Sequence, residues 1–488
     1  MAADQDLLGH EQPVVTSDPE IPLVVDVDGT LIKTDLLHEG VMQLVAQGPQ
    51  SVFLLPFWLS QGKAHLKAKL AERVELDMAT VPLRPEVLAL IDEAKTLGRP
   101  VYLASASAEP YVAALAQRVG ATGHFATTPE VNLAGGEKAT VLVERFGAGG
   151  FDYVGDHAVD IPVWSVARKT IAVSRSKSFT AKLQKLFPEV VEIPGTRVPV
   201  KACLKALRVH QWLKNSLVFL PLLAGHHFTP EAFAAACIAF LCFSFAASSA
   251  YALNDLLDLP GDRDHPRKQH RPFAAGTMSI PFGLTLSATL ILTAFGMAAA
   301  ALPLGFMAIL GLYFVTTMAY SLVLKRQTFI DVIVLGGLYT IRVLAGVEAV
   351  HATRSPWLLM FCLFLFLSLA IVKRCSELIA REQAGKGPPK GRGYTFVDLR
   401  MLLPLAAAAG YGSVFVIALY LQSPEVQALY ANPIRMWLAM PPLLFWVSRV
   451  LMIANRGEMH DDPVVFAVTD KISWLCGAGV LASILVSI

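Results

Sequence analysis

The sequence predicts two domains of different fold class: a soluble α/β domain with a parallel sheet and a small helical cap, then an all-α polytopic membrane domain of about nine transmembrane helices. Short β-branched runs alternate with helical patterns over roughly the first 200 residues. Apolar stretches of about 20 residues, long enough to cross a bilayer, recur beyond about residue 212. The 488 residues are 54% hydrophobic and 16% charged, with a mean hydropathy of +0.51. Soluble globular proteins average about a quarter charged residues.

The domain boundaries follow changes in composition along the chain. Residues 1–20 are acidic, lack the apolar core of a signal peptide, and are expected to be flexible. The α/β domain is predicted over 21–187, with its cap at about 33–82. A basic linker with an interfacial helix is predicted over 188–210, because prolines break regular structure there and basic residues outnumber acidic ones. The membrane domain is predicted over 211–488.

Polar residues follow the predicted strands of the front domain. Strands are predicted at 21–25, 101–104 and 151–154. The polar residues that follow these strands, or lie between them, are Asp26, Asp28, Ser105, Lys138, Asp156 and Asp160. Because ligand sites of open α/β sheets form at the carboxyl ends of strands, we expect these side chains to meet. A carboxylate nucleophile divides hydrolysis into two steps, and a metal ion with a lysine offsets the charge of a phosphate.

This ordered set resembles the haloacid dehalogenase (HAD) phosphatase superfamily over about residues 20–185, nearest its phosphoserine-phosphatase-like branch, with a Rossmann-like sheet. The resemblance implies that Asp26 is the nucleophile that forms an aspartyl-phosphate and that Asp28 is the general acid/base. It also implies that Ser105 and Lys138 hold the phosphoryl oxygens. The implied Mg²⁺ site consists of Asp26, Asp28, Asp156 and Asp160. A structural domain without activity is the alternative, which the complete set of reactive residues disfavours.

Nine membrane spans are predicted in the rest of the chain. They cover about 214–228, 231–254, 280–301, 303–324, 330–350, 356–379, 400–421, 433–454 and 470–488. Basic residues concentrate in alternate loops, which the positive-inside rule places in the cytoplasm. The front domain and both acidic centres are therefore predicted on the cytoplasmic side of the inner membrane, with the C-terminus outside. A basic amphipathic helix over 200–215 is expected to lie on the anionic leaflet.

A second group of carboxylates follows an apolar span. Asp255, Asp258 and Asp262 are spaced by three and four residues, which places them on one face of a helix. Three such carboxylates repel one another unless a cation lies between them. Neighbouring polar and basic side chains expected to bind phosphate or substrate are Asn254, Arg263, His265, Lys268 and Arg271. Acids that hold metal, followed by bases that hold phosphate, predict a diphosphate site.

The letters NDLLDLPGD at 254–262 resemble the first Asp-rich motif of the UbiA superfamily of intramembrane prenyltransferases, and the likeness extends over about 205–488. Tyr320 and Lys325, with four residues between them, resemble its YxxxK element. The usual second Asp-rich motif is missing from the 370–400 loop, which carries KRCSEL instead. QWLKN at 211–215 and DRDHPRKQHRP after the first motif, with KRCSEL, resemble the decaprenyl-phosphate phosphoribosyltransferases. These elements add Lys214, Asn215, Lys373, Arg374 and Glu377 to the predicted substrate-binding residues.

The resemblance implies a bifunctional synthesis of polyprenyl-phosphoryl ribose, a precursor for arabinose donors in envelope glycans. The membrane domain is expected to transfer 5-phosphoribose from 5-phosphoribosyl diphosphate (PRPP) to polyprenyl (decaprenyl) phosphate, and the HAD domain to remove the 5-phosphate. One Mg²⁺ is expected in each domain, on Asp255, Asp258 and Asp262 in the membrane domain. The expected partners are the bilayer, polyprenyl phosphate and PRPP, without nucleic acid; a homo-oligomer stays open.

Arg342 lies inside a predicted span, where a charged residue is a functional candidate by default. We expect it to hold the lipid phosphate. The alternative is a structural ion pair with Asp331, with Glu348 or with another helix. Residues 460–462 (HDD) form a weaker cluster without an assigned role. The six cysteines lack metal-type spacing and are predicted to be small buried side chains.

Two other functions stay open. The first is a UbiA-type aromatic prenyltransferase of quinone or haem synthesis with an accessory HAD domain. The missing second Asp-rich motif counts against it. The second is a non-catalytic membrane module regulated by the HAD domain, which the complete acidic motifs disfavour.

Overall fold

The computed structural model describes residues 18–129, 131–174, 176–195, 198–225, 228–388, 392–424, 426, 430–459 and 462–487. Residues 1–17 of the predicted flexible segment lie outside these ranges, as do His460 and Asp461 of the unassigned cluster. The chain divides into two compact units. The first consists of the chain up to Ala206 together with Ala252–Thr285, and the second of Leu207–Tyr251 together with Leu286–Ile488. The four boundaries drawn from composition stay predictions.

The first unit contains a six-stranded parallel sheet, the fold class that the alternating pattern predicts. Its strands are β1 (Leu23–Val25), β2 (Val101–Ala108), β3 (Gly123–Thr127), β4 (Asp152–Gly155), β5 (Lys169–Ser174) and β6 (Val191–Pro194). Their order across the sheet is β3-β2-β1-β4-β5-β6, all parallel. The order reverses at the central β1, where Val24 lies opposite Tyr102 of β2 and Tyr153 of β4. Such a reversal opens a crevice for ligands at the carboxyl ends of the strands.

Helices cover both faces of this sheet. The helices as far as residue 207 are α1 (Leu36–Gln47), α2 (Leu54–Ser60), α3 (Lys63–Arg73), α4 (Pro85–Thr96), α5 (Glu109–Val119), α6 (Gly136–Phe146), α7 (Ile161–Trp164), α8 (Lys177–Leu186) and α9 (Val200–Leu207), with 3₁₀ turns at Pro49–Phe53 and Ala158–Asp160. Leu23 and Val25 of β1 pack into one core cluster and Val24 into another. Successive side chains of a strand point to opposite faces, so a buried strand needs apolar residues throughout.

The remaining helices are mostly long and apolar. They are α10 (Leu220–Ala224), α11 (Pro230–Leu257), α12 (Leu259–Arg263), α13 (Ile280–Ala301), α14 (Leu304–Leu322), α15 (Ile330–Ala349), α16 (Pro356–Gln383), α17 (Leu399–Tyr420), α18 (Met440–Asn455), α19 (Pro463–Thr469) and α20 (Lys471–Ser487), with 3₁₀ turns at Val209–Phe219, Lys268–His270, Leu324–Arg326, Phe396–Asp398 and Pro433–Ala439. Within the described residues, 7 helices are long and apolar enough to cross a membrane, or up to 8 if the bent pair α19–α20 is one span.

The predicted count of nine is therefore approximate, and the difference has a local cause. The first predicted span, 214–228, contains the end of a 3₁₀ turn and the five residues of α10 rather than one long helix. Pro221 lies in the first turn of α10, where its missing N–H is tolerated. The helix predicted over 200–215 also ends early, at Leu207, because Arg208 adopts a left-handed conformation with φ 50°.

The cysteines behave largely as predicted. All six are free. Cys242, Cys362, Cys375 and Cys476 are buried, and Cys203 and Cys237 are half-buried. The six thiols are therefore packing groups rather than crosslinks.

Candidate active sites

Asp26 lies at the carboxyl end of β1 and is the centre of the first site. Lys138, 112 residues further along the chain, donates from Nζ to Asp26 Oδ1 at 2.7 Å. Thr30 donates its hydroxyl to Asp26 Oδ2 at 3.1 Å. Burial raises the pKa of the Asp26 carboxyl well above its ordinary value, and Lys138 opposes that rise. The folded chain thus brings together Asp26 and Lys138, two residues that the sequence assigns to one site.

Three carboxylates meet beside this lysine. Asp26, Asp156 and Asp160, which we call the front carboxylate cluster, each offer one oxygen within 4.8 Å of the others. Gly29 makes the approach possible, because its φ is +77° and a Cβ there would lie 2.3 Å from Asp156 Oδ2. Closely spaced carboxylate oxygens are the ligands that Mg²⁺ prefers, so these residues fit the predicted ion.

Asp28 lies outside the front carboxylate cluster and has its own set of donors. The hydroxyls of Ser105 and Ser107 donate to Asp28 Oδ2 at 3.0 and 2.7 Å. The backbone N–H of Leu36 donates to Asp28 Oδ1 at 2.8 Å. Burial, and then the charge of Asp35, raise the pKa of the Asp28 carboxyl, which favours its protonated form. A group held in this way is suited to donate a proton.

Two residues of this site escaped sequence reasoning. Ser107 lies two residues after Ser105 on β2, and the strand period of two would have placed both side chains on one face. The Tyr153 hydroxyl lies 2.9 Å from Lys138 Nζ and donates to Asp160 Oδ1 at 2.8 Å. A tyrosine inside a buried strand has no sequence signal that separates it from a core aromatic.

The Asp-rich segment, residues 254–262, lies at the end of α11 and in α12. The helix is interrupted at Asp258, which has φ −98° and ψ 14°, so the three carboxylates do not lie on one regular helix as predicted. Arg271 donates from one nitrogen to Asp255 Oδ1 at 3.0 Å and to Asp262 Oδ2 at 2.6 Å. Asn254 donates to Asp258 Oδ2 at 3.1 Å. Arg271 therefore links Asp255 and Asp262, and the metal site on the three carboxylates stays a prediction.

Arg263 has a different partner from the predicted phosphate. Its guanidinium donates to both carboxylate oxygens of Glu39 on α1, at 2.6 and 2.8 Å. The two side chains are only 5% and 3% exposed. Lys268 lies 3.8 Å from Asp262, and His265 is exposed, with Nδ1 accepting from the Arg267 N–H at 3.2 Å.

In the second unit, two predicted lysines converge on one carboxylate. Lys214 Nζ lies 2.8 Å from Asp462 Oδ2, and Lys373 Nζ lies 2.6 Å from the same atom. Burial alone would raise the pKa of Asp462, but the two lysines hold it below its ordinary value. Asp462 belonged to the cluster left without a role, and it follows Lys214 by 248 residues, so no local pattern joins them.

Arg342 lies beside this group, buried in α15. It donates to Asn215 Oδ1 at 2.8 Å, to the Tyr313 hydroxyl at 3.0 Å and to the Leu338 carbonyl at 2.5 Å. These three partners are neutral. The ring of Tyr339 lies 5.5 Å from the Arg342 guanidinium and 5.8 Å from the ammonium of Lys214. Lys214 and Arg342, two predicted substrate-binding residues, thus lie near the ring of the same residue, Tyr339.

Of the partners proposed in the alternative role of Arg342, Asp331 and Glu348 pair with other residues. Glu348 pairs with Arg354, and Asp331 accepts from Arg374 at 2.6 Å. Arg374 also donates to Glu377 at 2.6 Å and to the Tyr320 hydroxyl at 2.9 Å. Three predicted substrate residues, Tyr320, Arg374 and Glu377, are therefore joined in one network of ion pairs and hydrogen bonds. Lys325 lies in the 3₁₀ turn Leu324–Arg326 that follows α14.

Comparison with known proteins identifies a family for the front α/β domain and another for the membrane helices. The haloacid dehalogenase-like hydrolase model matches residues 23–165, and the UbiA prenyltransferase family model matches residues 216–386. The decaprenyl-phosphate phosphoribosyltransferase of Mycobacterium tuberculosis is 33% identical over 303 residues, which cover 61% of this chain and 97% of that protein. The chain belongs to the UbiA prenyltransferase family. This UbiA-family chain also carries an HAD-like domain, and both families are enzymes.

Two rhizobial proteins are similar to this UbiA-family chain. The uncharacterized protein y4nM of Sinorhizobium fredii is 35% identical over 466 residues, covering 94% of this chain and 90% of that protein. The nodulation protein NoeC of Azorhizobium caulinodans is 34% identical over 286 residues, covering 58% of this chain and 92% of that protein. The similarity to y4nM covers both units, so the two-domain arrangement is shared. The family and the apolar helices together make the chain a multi-pass membrane protein.

Proposed function

We propose that the UbiA-family part of the chain transfers 5-phosphoribose from PRPP to a polyprenyl phosphate, and that the HAD-like domain then removes the 5-phosphate. The observation that carries the proposal is the 33% identity over 97% of a decaprenyl-phosphate phosphoribosyltransferase. The product would be a polyprenyl-phosphoryl ribose, a precursor of the arabinose donors of envelope glycans.

The basic group of the second unit supports the lipid phosphate as acceptor. Lys214, Lys373 and Arg342 carry three positive charges, and Asp462 carries one negative charge. Two positive charges therefore remain among these four side chains. A phosphate monoester carries about −1.5 to −2 charges at neutral pH and would balance them. Its oxygen is already an anion, so its attack on the anomeric carbon of the ribose needs no general base.

The Asp-rich segment supports a diphosphate as leaving group. Asp255 and Asp262 lie close enough together for one nitrogen of Arg271 to donate to an oxygen of each, and carboxylate oxygens are the ligands that Mg²⁺ prefers. Asp255, Asp258 and Asp262 would hold that ion. A bound Mg²⁺ would supply charge stabilisation for the departing diphosphate. Arg271, released from the carboxylates, would donate to the diphosphate oxygens as the bond to the ribose carbon breaks.

The front site supports hydrolysis of the remaining phosphate. Asp26 attacks the phosphorus, while Lys138 and the hydroxyl of Ser105 hold the phosphoryl oxygens. Asp28 protonates the departing ribose oxygen and then takes a proton from the water that hydrolyses the aspartyl-phosphate. The front carboxylate cluster would hold Mg²⁺, which offsets the charge of the phosphate when bound.

The test uses membranes that contain the full-length protein, with Mg²⁺, polyprenyl phosphate and PRPP labelled in the ribose. We expect label in the lipid fraction, and its absence contradicts the transfer. Asp26→Asn should leave transfer intact and accumulate the 5-phosphorylated lipid, with Asp77→Asn, an exposed carboxylate of the same unit, as control. If Asp26→Asn still yields the dephosphorylated lipid, the HAD assignment is wrong.

Asp255→Asn should abolish transfer while hydrolysis of an added phosphate ester persists. Incorporation of a prenyl group into an aromatic acceptor would favour the aromatic prenyltransferase instead.

We also propose that the front domain and both acidic centres face the cytoplasm, with the C-terminus outside the inner membrane. The basic residues of alternate loops support this orientation. Alkaline phosphatase fused after the last residue should be active, because that enzyme needs an oxidising compartment to form its disulfides. An inactive alkaline phosphatase fusion combined with a fluorescent cytoplasmic reporter fusion would mean an even number of spans.

A further inference from the structure

The tip of the cap, residues 49–60, exposes large apolar side chains. Val52, Phe53, Phe57 and Leu59 are 42%, 80%, 63% and 51% exposed. Phe53 has helical φ and ψ of −70° and −15°, so it lies four residues before Phe57 on the same side of a continuous helical path. A contiguous exposed apolar surface of this kind marks a membrane or protein contact.

The opposite side of the same segment is firmly packed. Leu54 and Leu55 contact the first core cluster, and Trp58 is 5% exposed. The guanidinium of Arg73, on α3, lies 5.1 Å over the Trp58 ring. The exposed face is therefore one side of an ordered amphipathic element.

Basic residues accompany the apolar tip. Between residues 49 and 73 the chain carries Lys63, Lys67, Lys69 and Arg73 against a single acidic residue, Glu72. Lys63 is exposed, whereas Lys67 contacts the Ala106 carbonyl, Lys69 pairs with Glu72 and Arg73 lies over Trp58. With four basic residues against one acidic residue the segment carries a net charge of +3. An apolar face on a segment of net positive charge is the pattern of elements that lie in the interface of an anionic bilayer. A second copy of the chain would bring a second segment of net positive charge against the first, which charge repulsion disfavours.

We propose that the cap tip inserts Phe53 and Phe57 into the headgroup region of the bilayer that the same chain spans. The membrane helices hold the front domain at the bilayer covalently, so a shallow and individually weak contact is enough. The next helix of the cap, α3, supplies Lys67, which donates to the Ala106 carbonyl at 2.6 Å, one residue after Ser105 of the phosphatase site. A cap seated in the interface would therefore present that site to phosphates attached to lipids. The inference rests on the membrane family and not on the chemistry of the transferase.

The test places the photoreactive amino acid p-benzoyl-phenylalanine at position 53 or 57 of the full-length protein in nanodiscs of phosphatidylglycerol and phosphatidylcholine. We expect phospholipid adducts at both positions after irradiation, identified by peptide mass spectrometry. The same amino acid at Leu186, 51% exposed on α8 of the same unit, should give no adduct above the unirradiated background. Hydrolysis of a soluble phosphate ester by each substituted protein checks that the cap is folded. Crosslinked dimers in place of lipid adducts would assign the surface to a second copy, and adduct-free protein at positions 53 and 57 would overturn the proposal outright.

Discussion

The buried ion pair between Glu39 of α1 and Arg263 beside the Asp-rich segment offers a quantitative test of how the first unit is held together. Its two donor–acceptor distances are 2.6 and 2.8 Å, and the side chains are 3% and 5% exposed. Arg263 also donates from Nε to the Ala274 carbonyl at 3.2 Å, which keeps its guanidinium in place. Replacing Glu39 with Gln keeps the shape of the side chain but leaves a buried positive charge without its counterion.

Breaking a buried pair by changing one partner costs about 3–5 kcal/mol. For a domain of about 150–250 residues, each 1 kcal/mol lowers the midpoint of thermal unfolding by about 2–4 °C, so Glu39→Gln should lower it by roughly 6–20 °C. Replacing both partners, as Glu39→Leu with Arg263→Met, removes both charges and should recover most of that loss, because apolar replacements of a buried pair are often neutral or stabilising.

The measurement is thermal unfolding of the purified full-length protein in detergent, with hydrogen exchange followed on peptides that cover α1 and residues 259–276. Glu72→Gln is the matched control, because Glu72 pairs with Lys69 at 2.8 Å with 59% of its side chain exposed, and exposed pairs contribute at most about 1 kcal/mol. If Glu39→Gln and Glu72→Gln unfold at the same temperature and exchange in both peptides is unchanged, the reasoning about the buried pair is wrong.

Three further predictions concern the first unit. Gly29→Ala should abolish hydrolysis of phosphate esters and destabilise the fold by about 1–2 kcal/mol, because the residue has positive φ and its Cβ would meet Asp156; a rate like that of the unchanged protein would contradict this. Burial raises the pKa of Tyr111 to about 12, and its hydroxyl donates to the Val74 carbonyl at 2.5 Å. The protonated Tyr111 hydroxyl therefore contributes fully to stability below its ordinary pKa near 10, and this contribution is lost as the pH rises through 12. In urea denaturation between pH 9 and pH 12, the free energy of unfolding should therefore fall more steeply with pH in the unchanged protein than in Tyr111→Phe. Chelation of divalent metal should abolish both phosphate-ester hydrolysis and lipid labelling and Mg²⁺ should restore them, whereas full activity in metal-free buffer would exclude the proposed ions.

Much of the two sites could be predicted from the sequence, because their acidic residues lie within a few residues of one another. Asp26 and Asp28 follow one buried strand, and Asp255 and Asp262 lie in the last turn of one apolar helix and just beyond it, so periodicity and composition were enough to find them. Ser105 and Lys138 were found through their order along the chain. Tyr153 and Asp462 were not, because an aromatic in a strand and an acid in a loop acquire a role only from side chains that fold against them.

The sequence by itself determined that an α/β domain precedes a set of membrane helices and that each part carries an acidic centre. Strand and helix periods, and the contrast between charged and apolar stretches, are local properties that a single chain displays directly. Only the tertiary structure decided which partner each buried charge has. Arg263 binds Glu39, 224 residues away, and Arg271 donates to both Asp255 and Asp262. A buried charge must be compensated by whichever group the fold brings within reach, and that distance is set by packing rather than by separation along the chain.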